Sequence, residues 1–112
     1  MLTYAAIVFA VAALGGATLA YLRIVKKDVS MPIALVHGLF AATGLVLLVL
    51  GLSESGGAGL RIALGVFVLA ALGGFTLFSF HLRSRPMPVP LVLVHGAAAV
   101  TAFVILLAVI LG

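Results

Sequence analysis

Apolar residues run almost unbroken through four stretches of this chain, about Leu2 to Leu22, Pro32 to Leu52, Leu60 to Leu82 and Pro90 to Leu111. The polar residues gather in the three breaks between them. A hydrocarbon core of about 30 Å takes roughly 20 apolar residues per helix, so each stretch predicts one membrane-spanning helix. The expected fold is all-α: a transmembrane four-helix bundle forming a single domain over residues 1–112, with no stretch left over for a soluble unit. The first apolar run lacks a basic segment before it and is long for a signal sequence, so it is read as a retained helix.

The four spans are two copies of one hairpin. Shifting the chain by 58 residues places Gly15 on Gly73 and His37 on His95, and about 20 of the 53 pairs between residues 2–54 and 60–112 are identical. Matches among Leu, Val and Ala are cheap in so apolar a chain. The rarer ones carry the weight: Gly15 with Gly73, Gly16 with Gly74, Thr18 with Thr76, Pro32 with Pro90, His37 with His95, Gly38 with Gly96 and Thr43 with Thr101. A hairpin has an even number of spans, so both copies enter the membrane in the same direction. Their pseudo-two-fold axis is expected along the membrane normal, with matched residues at equal depth.

Composition agrees with this reading, with 66% of residues hydrophobic and 7% charged. The formal net charge of +4 does not describe a nucleic-acid-binding face. Arg23, Lys26, Lys27, Arg83 and Arg85 all fall in the first and third breaks, whereas "SESGGAG" carries Glu54, with Arg61 just beyond. By the positive-inside rule the basic breaks are cytoplasmic and both termini lie outside, in what is expected to be a bacterial cytoplasmic membrane. The absence of cysteine removes disulfide and thiolate chemistry.

Chemistry concentrates in one layer. An ionisable ring inside the hydrocarbon zone is costly and belongs on the bundle interior with a partner. His37 and His95 sit a few residues into the second and fourth spans, level with the glycine pairs near the ends of the first and third. Small residues such as Ala12/Gly16 and Ala70/Gly74 also serve close helix packing without any ligand. In an up-down-up-down bundle the second and fourth helices are diagonal. The gap between them is expected to be too wide for the imidazoles to meet directly and suited to a flat metal macrocycle between them. Haem iron takes axial histidines, which gives one bis-histidine haem b with His37 and His95 as metal ligands.

Room for the macrocycle is expected from Ala41 and Gly44 on the His37 face, Ala99 and Ala102 on the His95 face, and Gly38 and Gly96 alongside. Gly15, Gly16, Gly73 and Gly74 are expected to admit its edges. Arg23 and Arg83, with Lys26, Lys27 and Arg85 nearby, are candidate partners for its propionates, because a guanidinium fork matches a carboxylate. Thr18, Thr76 or a backbone carbonyl is expected to hold the second ring nitrogen of each histidine.

These features resemble the four-helix membrane b-type cytochromes, in which histidines on membrane-spanning helices hold haem and helix glycines accommodate it. The resemblance covers the whole chain at the level of organisation. It implies electron transfer with quinone or with a larger respiratory or photosynthetic complex. This sequence departs from the common pattern of two haems held by four histidines, because one histidine pair lies within its spans.

Two alternatives stand beside that reading. One is a cofactor-free accessory or assembly subunit of a larger membrane complex. In the other, each histidine holds a separate tetrapyrrole such as a bacteriochlorophyll, facing outward. The lipid bilayer and a second copy of the chain complete the expected partners, and nucleic acid is not among them. His81 is expected to be interfacial, complementing the helix dipole. Phe75, Phe78 and Phe80 are expected to make lipid or packing contacts.

Paired carboxylates are missing from the spans, which removes the parts for hydrolysis or a carboxylate proton relay. Two histidines alone make a thin zinc site. The "LGG" sequences lack the strand-to-helix setting of a phosphate-binding loop. The chain is read as an electron carrier rather than an enzyme, and no broken helix suggests a transporter.

Overall fold

The computed structural model describes residues 1–112, apart from the side chain of Ser55. Four helices form in order: α1, Leu2–Ile24; α2, Met31–Ser55; α3, Ala58–Leu82; and α4, Val89–Leu111. All four are long and apolar enough to cross a membrane. The bundle measures 41 Å along its longest axis, close to the roughly 40–45 Å of a bilayer with its headgroups. Large apolar side chains such as Leu14, Leu39, Leu69 and Phe75 point outward. Among the described residues, no buried side chain is polar or charged. The outer surface is therefore an apolar coat suited to acyl chains, as the four-span reading requires.

Helix ends follow from local chemistry. The Ser30 hydroxyl caps α2 by accepting from the Ile33 amide at 3.3 Å, and proline occupies the first turns of α2 and α4, where an absent amide hydrogen costs nothing. Pro88, just before α4, has the extended backbone expected of the proline-rich break. The "SESGGAG" break is shorter than the sequence suggests. Helix α2 runs on to Ser55 and α3 begins at Ala58, leaving Gly56 and Gly57 as the connection. Continued helix satisfies backbone groups that a loop would leave to solvent, and Gly57 supplies the φ of 150° that closes so short a turn.

At the opposite end, α1 and α3 finish alike. Lys27 N donates to Leu22 O and Lys26 N to Arg23 O, while Arg85 N donates to Phe80 O and Ser84 N to His81 O. Each set is a Schellman motif. Its left-handed position is filled by Lys26 in one copy and Ser84 in the other, at φ 60° and 55°. Glycine is the usual occupant there.

Consecutive helices pack side by side and α4 closes on α1, with the densest contacts inside each hairpin. Among the described residues the diagonal pairs, α1 with α3 and α2 with α4, have no close backbone approach, so side chains alone span the centre. In the half of the bundle nearer the termini, Phe9 and Phe67 stack across the α1/α3 diagonal with centroids 3.9 Å apart and planes 5° from parallel. Leu48, Leu60, Ala102 and Leu106 fill the layers around them. A smaller cluster of Leu77, Met87 and Val92 closes the other end.

The packed core corrects two expectations: Ala102, assigned to macrocycle room, is fully buried in the cluster around the aromatic stack. Gly44, assigned to macrocycle room, is buried beneath Phe9, and a methyl group there would lie 2.7 Å from the ring. That ring is pinned by its stack and cannot yield cheaply. Gly44→Ala is expected to lower stability by about 1–3 kcal/mol through overpacking. Gly65→Ala, with no atom near its added methyl, is expected to be neutral or slightly stabilising. Thermal unfolding in detergent checks both, and equal effects would remove the aromatic seat as the cause.

Candidate functional site: a paired histidine layer

A single contact fixes each histidine. The His37 Nδ1–H donates to Ala12 O on α1 at 2.7 Å, and the His95 Nδ1–H donates to Ala70 O on α3 at the same distance. A carbonyl only accepts, so Nδ1 carries a proton, and in the neutral form of either ring the Nε2 lone pair is free. Each bond ties the first helix of a hairpin to the second across a sequence separation of 25.

The glycine pairs explain why those carbonyls are reachable. In a helix, the carbonyl of residue i points toward residues i+3 and i+4, whose side chains normally cover it. Gly15 and Gly16 occupy those positions relative to Ala12, and Gly73 and Gly74 do so relative to Ala70. A methyl group at Gly16 would lie 2.9 Å from His37 Cε1, and one at Gly74 would lie 3.1 Å from His95 Cε1. A methyl group at Gly15 or Gly73 would meet the same two side chains, 3.4 Å from His37 Cβ and 3.6 Å from His95 Cβ. In this structure the glycines seat the imidazoles themselves, where the sequence reading assigned them to macrocycle edges.

The two rings then meet across the α2/α4 diagonal. Their centroids are 6.3 Å apart and their planes stand at 88°. This lies within the range of aromatic pairs, so the diagonal is narrower than the sequence reading expected. It is also close to the separation reached when two imidazole nitrogens bind one metal through bonds of about 2 Å each. Ala12 and Ala70 are buried, and the Phe9–Phe67 stack lies one turn further along α1 and α3, flooring the layer on that side.

Other predicted site residues divide. Ala41 and Ala99 are half-buried, while Gly38 and Gly96 face open space with no atom near a would-be methyl. Thr18 and Thr76 do not serve the histidines: both are exposed and bond back to Leu14 O and Leu72 O within their own helices at 2.9 Å. The uncovered carbonyls take the role assigned to them, because a backbone acceptor needs no side-chain ordering. Arg23 reaches across the basic end to donate from Nε to Met87 O at 2.7 Å. Arg83 instead folds along α3, bonding Ser79 O at 3.1 Å and lying over the Phe80 ring. His81 adjoins Phe78 near the end of α3.

Ala12, Ala70, Phe9 and Phe67 are the participants that the sequence reading missed as site residues. Their signal was present in the repeat register, which matches Ala12 with Ala70 and Phe9 with Phe67. It was hidden because apolar matches carry little weight in an apolar chain.

Gly16→Ala is expected to cost about 1–3 kcal/mol by forcing the His37 ring off its seat. Gly74→Ala, which has slightly more room, should cost less. Thermal unfolding combined with the imidazole Nδ1–H resonances in NMR checks this, and an unmoved His37 resonance in Gly16→Ala would break the link between glycine and ring. No protein-family model, curated protein or solved structure matches this chain.

Proposed function

We propose that this chain is a small membrane b-type haem protein in which His37 and His95 are the two axial ligands of one haem. The observation that carries the reading is the pair of Nδ1-anchored imidazoles meeting at 6.3 Å with both Nε2 lone pairs left free. Ligating histidines commonly donate their other ring hydrogen to a backbone carbonyl, which fixes the tautomer and raises ligand basicity. That donor set fits an iron porphyrin. When bound, haem would supply one-electron chemistry.

The chain's own residues then have defined tasks. His37 and His95 ligate, Ala12 O and Ala70 O hold their tautomers, and Gly15, Gly16, Gly73 and Gly74 keep those carbonyls open. Arg23 is the better placed of the two arginines for a propionate, because its bond to Met87 O leaves both terminal nitrogens free, whereas Arg83 bonds Ser79 through Nε and Nη2. Held by both His37 and His95, the group would supply electron transfer rather than oxygen activation. We place the protein in a bacterial cytoplasmic membrane with its basic loops cytoplasmic, exchanging electrons with quinone or a larger complex.

The same hydrogen bonds also support a second reading. Each histidine is satisfied inside its own hairpin, so the layer could act purely as a helix lock in a cofactor-free accessory subunit. Independent outward-facing pigments are less favoured, because the rings approach each other rather than the lipid.

Optical spectra of detergent-purified protein separate these readings. The haem protein should give sharp reduced-minus-oxidised α and Soret bands, lost in His37→Ala and equally in His95→Ala. Because the ring planes are crossed at 88°, the ferric form should show a strongly anisotropic low-spin EPR signal. Folded protein that is colourless from haem-replete cells and takes up no added haem would overturn the proposal in favour of the helix lock. Retention of half the pigment in either variant would assign one pigment to each histidine.

A further inference from the structure

At the end of the bundle beyond the histidines, the first and third loops and the adjoining helix ends line an open cavity of about 480 Å³. Its lining consists of repeat-matched positions: Arg23 with His81, Lys26 with Ser84, Lys27 with Arg85, Asp28 with Pro86, and Val29 with Met87. The cavity therefore lies where the two copies meet. Their backbones there are alike, both closed by a Schellman motif, but their side chains have diverged. Arg23, Lys26, Lys27 and Arg85 contribute four cations against the one carboxylate of Asp28.

Two details make this more than a solvated charge run. The Arg23 Nε bond to Met87 O ties the end of α1 to the third loop and is partly buried, so the guanidinium is held at the wall while its terminal nitrogens remain free to donate. Lys26 occupies the left-handed position of its motif, where glycine would relieve the backbone. A cation stands at that strained point of the cavity wall.

We propose that this cavity is a binding site for a phosphate-bearing anion, supplied either by the headgroup of an acidic phospholipid or by free phosphate. The guanidinium of Arg23 fits a phosphate's oxygens in paired hydrogen bonds, and Lys26, Lys27 and Arg85 supply point charges around it. The site opens at the end of membrane-spanning helices, the level at which basic pockets between helices meet lipid headgroups. Arg23 is shared with the propionate assignment made above, but neither the ligand nor the readout here involves iron, so failure of this site and failure of the haem reading are distinguishable.

Native mass spectrometry of the full chain, released from nanodiscs of equal phosphatidylglycerol and phosphatidylcholine, tests the proposal. The protein should retain phosphatidylglycerol in preference, and Lys26→Gln/Lys27→Gln/Arg85→Gln should reduce that preference on the order of tenfold. Arg61→Gln, at the other end of the bundle, should leave it unchanged. A parallel arm adds inorganic phosphate alone to protein in neutral detergent and follows thermal unfolding. Stabilisation by phosphate that is lost in the triple variant would assign the soluble source, while lipid preference without it would assign the headgroup. Circular dichroism establishes that the triple variant is folded before either comparison. No lipid preference together with no phosphate response in the parent chain would overturn the site, as would responses that survive intact in the folded triple variant.

Discussion

The bond from each imidazole to an uncovered helix carbonyl is the constraint on which the rest of the arrangement depends. Inside hydrocarbon a ring N–H without an acceptor is costly, and a helix offers few acceptors because its carbonyls are already engaged and shielded. The glycine pairs at the third and fourth positions after Ala12 and Ala70 remove that shield. The imidazole then sits directly on the helix surface, which brings α1 close to α2 and α3 close to α4. Helix approach, ring orientation and tautomer all follow from one contact made twice.

The two hairpins join by an alternation across the bundle centre. One diagonal is spanned by aromatic carbon, Phe9 on Phe67, and the other by imidazole, His37 toward His95. The layers are about two helical turns apart, as the seating of His37 on Gly16 and of Phe9 on Gly44 shows, and each side chain pair bridges a gap that the backbones leave open. Hydrophobic exclusion does not drive helices together in lipid, where tails are as apolar as leucine. Close packing must do so, and the tight seat of Phe9 on Gly44 shows where it acts.

Much of this was legible in the chain. Four apolar runs fixed the number of helices, prolines marked two helix starts within a residue, and the repeat register paired the histidines and the glycines correctly. What was not legible has a common physical cause. Hydropathy describes how a residue partitions, not which neighbour it meets. Gly44 looked like vacant space because its occupant, Phe9, comes from another helix, and Thr18 looked like a histidine partner because depth alone does not say which way a hydroxyl points. Likewise the "SESGGAG" break read as a loop, although polar residues can continue a helix beyond the hydrocarbon, as Ser53 does by bonding Leu50 O at 2.7 Å.

Duplication gives a small chain something that four unrelated helices would not. A single hairpin can seat one imidazole on one carbonyl, but it leaves the free Nε2 with no counterpart. Doubling the hairpin brings a second imidazole, held by the same kind of bond, to within 6.3 Å of the first, so a facing pair arises from one local design used twice. The same symmetry places the two loops against each other at one end, and there the copies have been free to differ. At His37/His95, Gly15/Gly73, Gly16/Gly74 and Phe9/Phe67 the halves agree, while the buried Gly44 is matched by Ala102. Where they meet water, Asp28 faces Pro86 and Lys26 faces Ser84 in the register, so two helix ends closed by the same backbone motif carry different charges. The interior positions are held by packing and hydrogen-bond geometry that each copy must reproduce, while the loop positions are constrained mainly by backbone closure, which Lys26 and Ser84 both satisfy at similar φ.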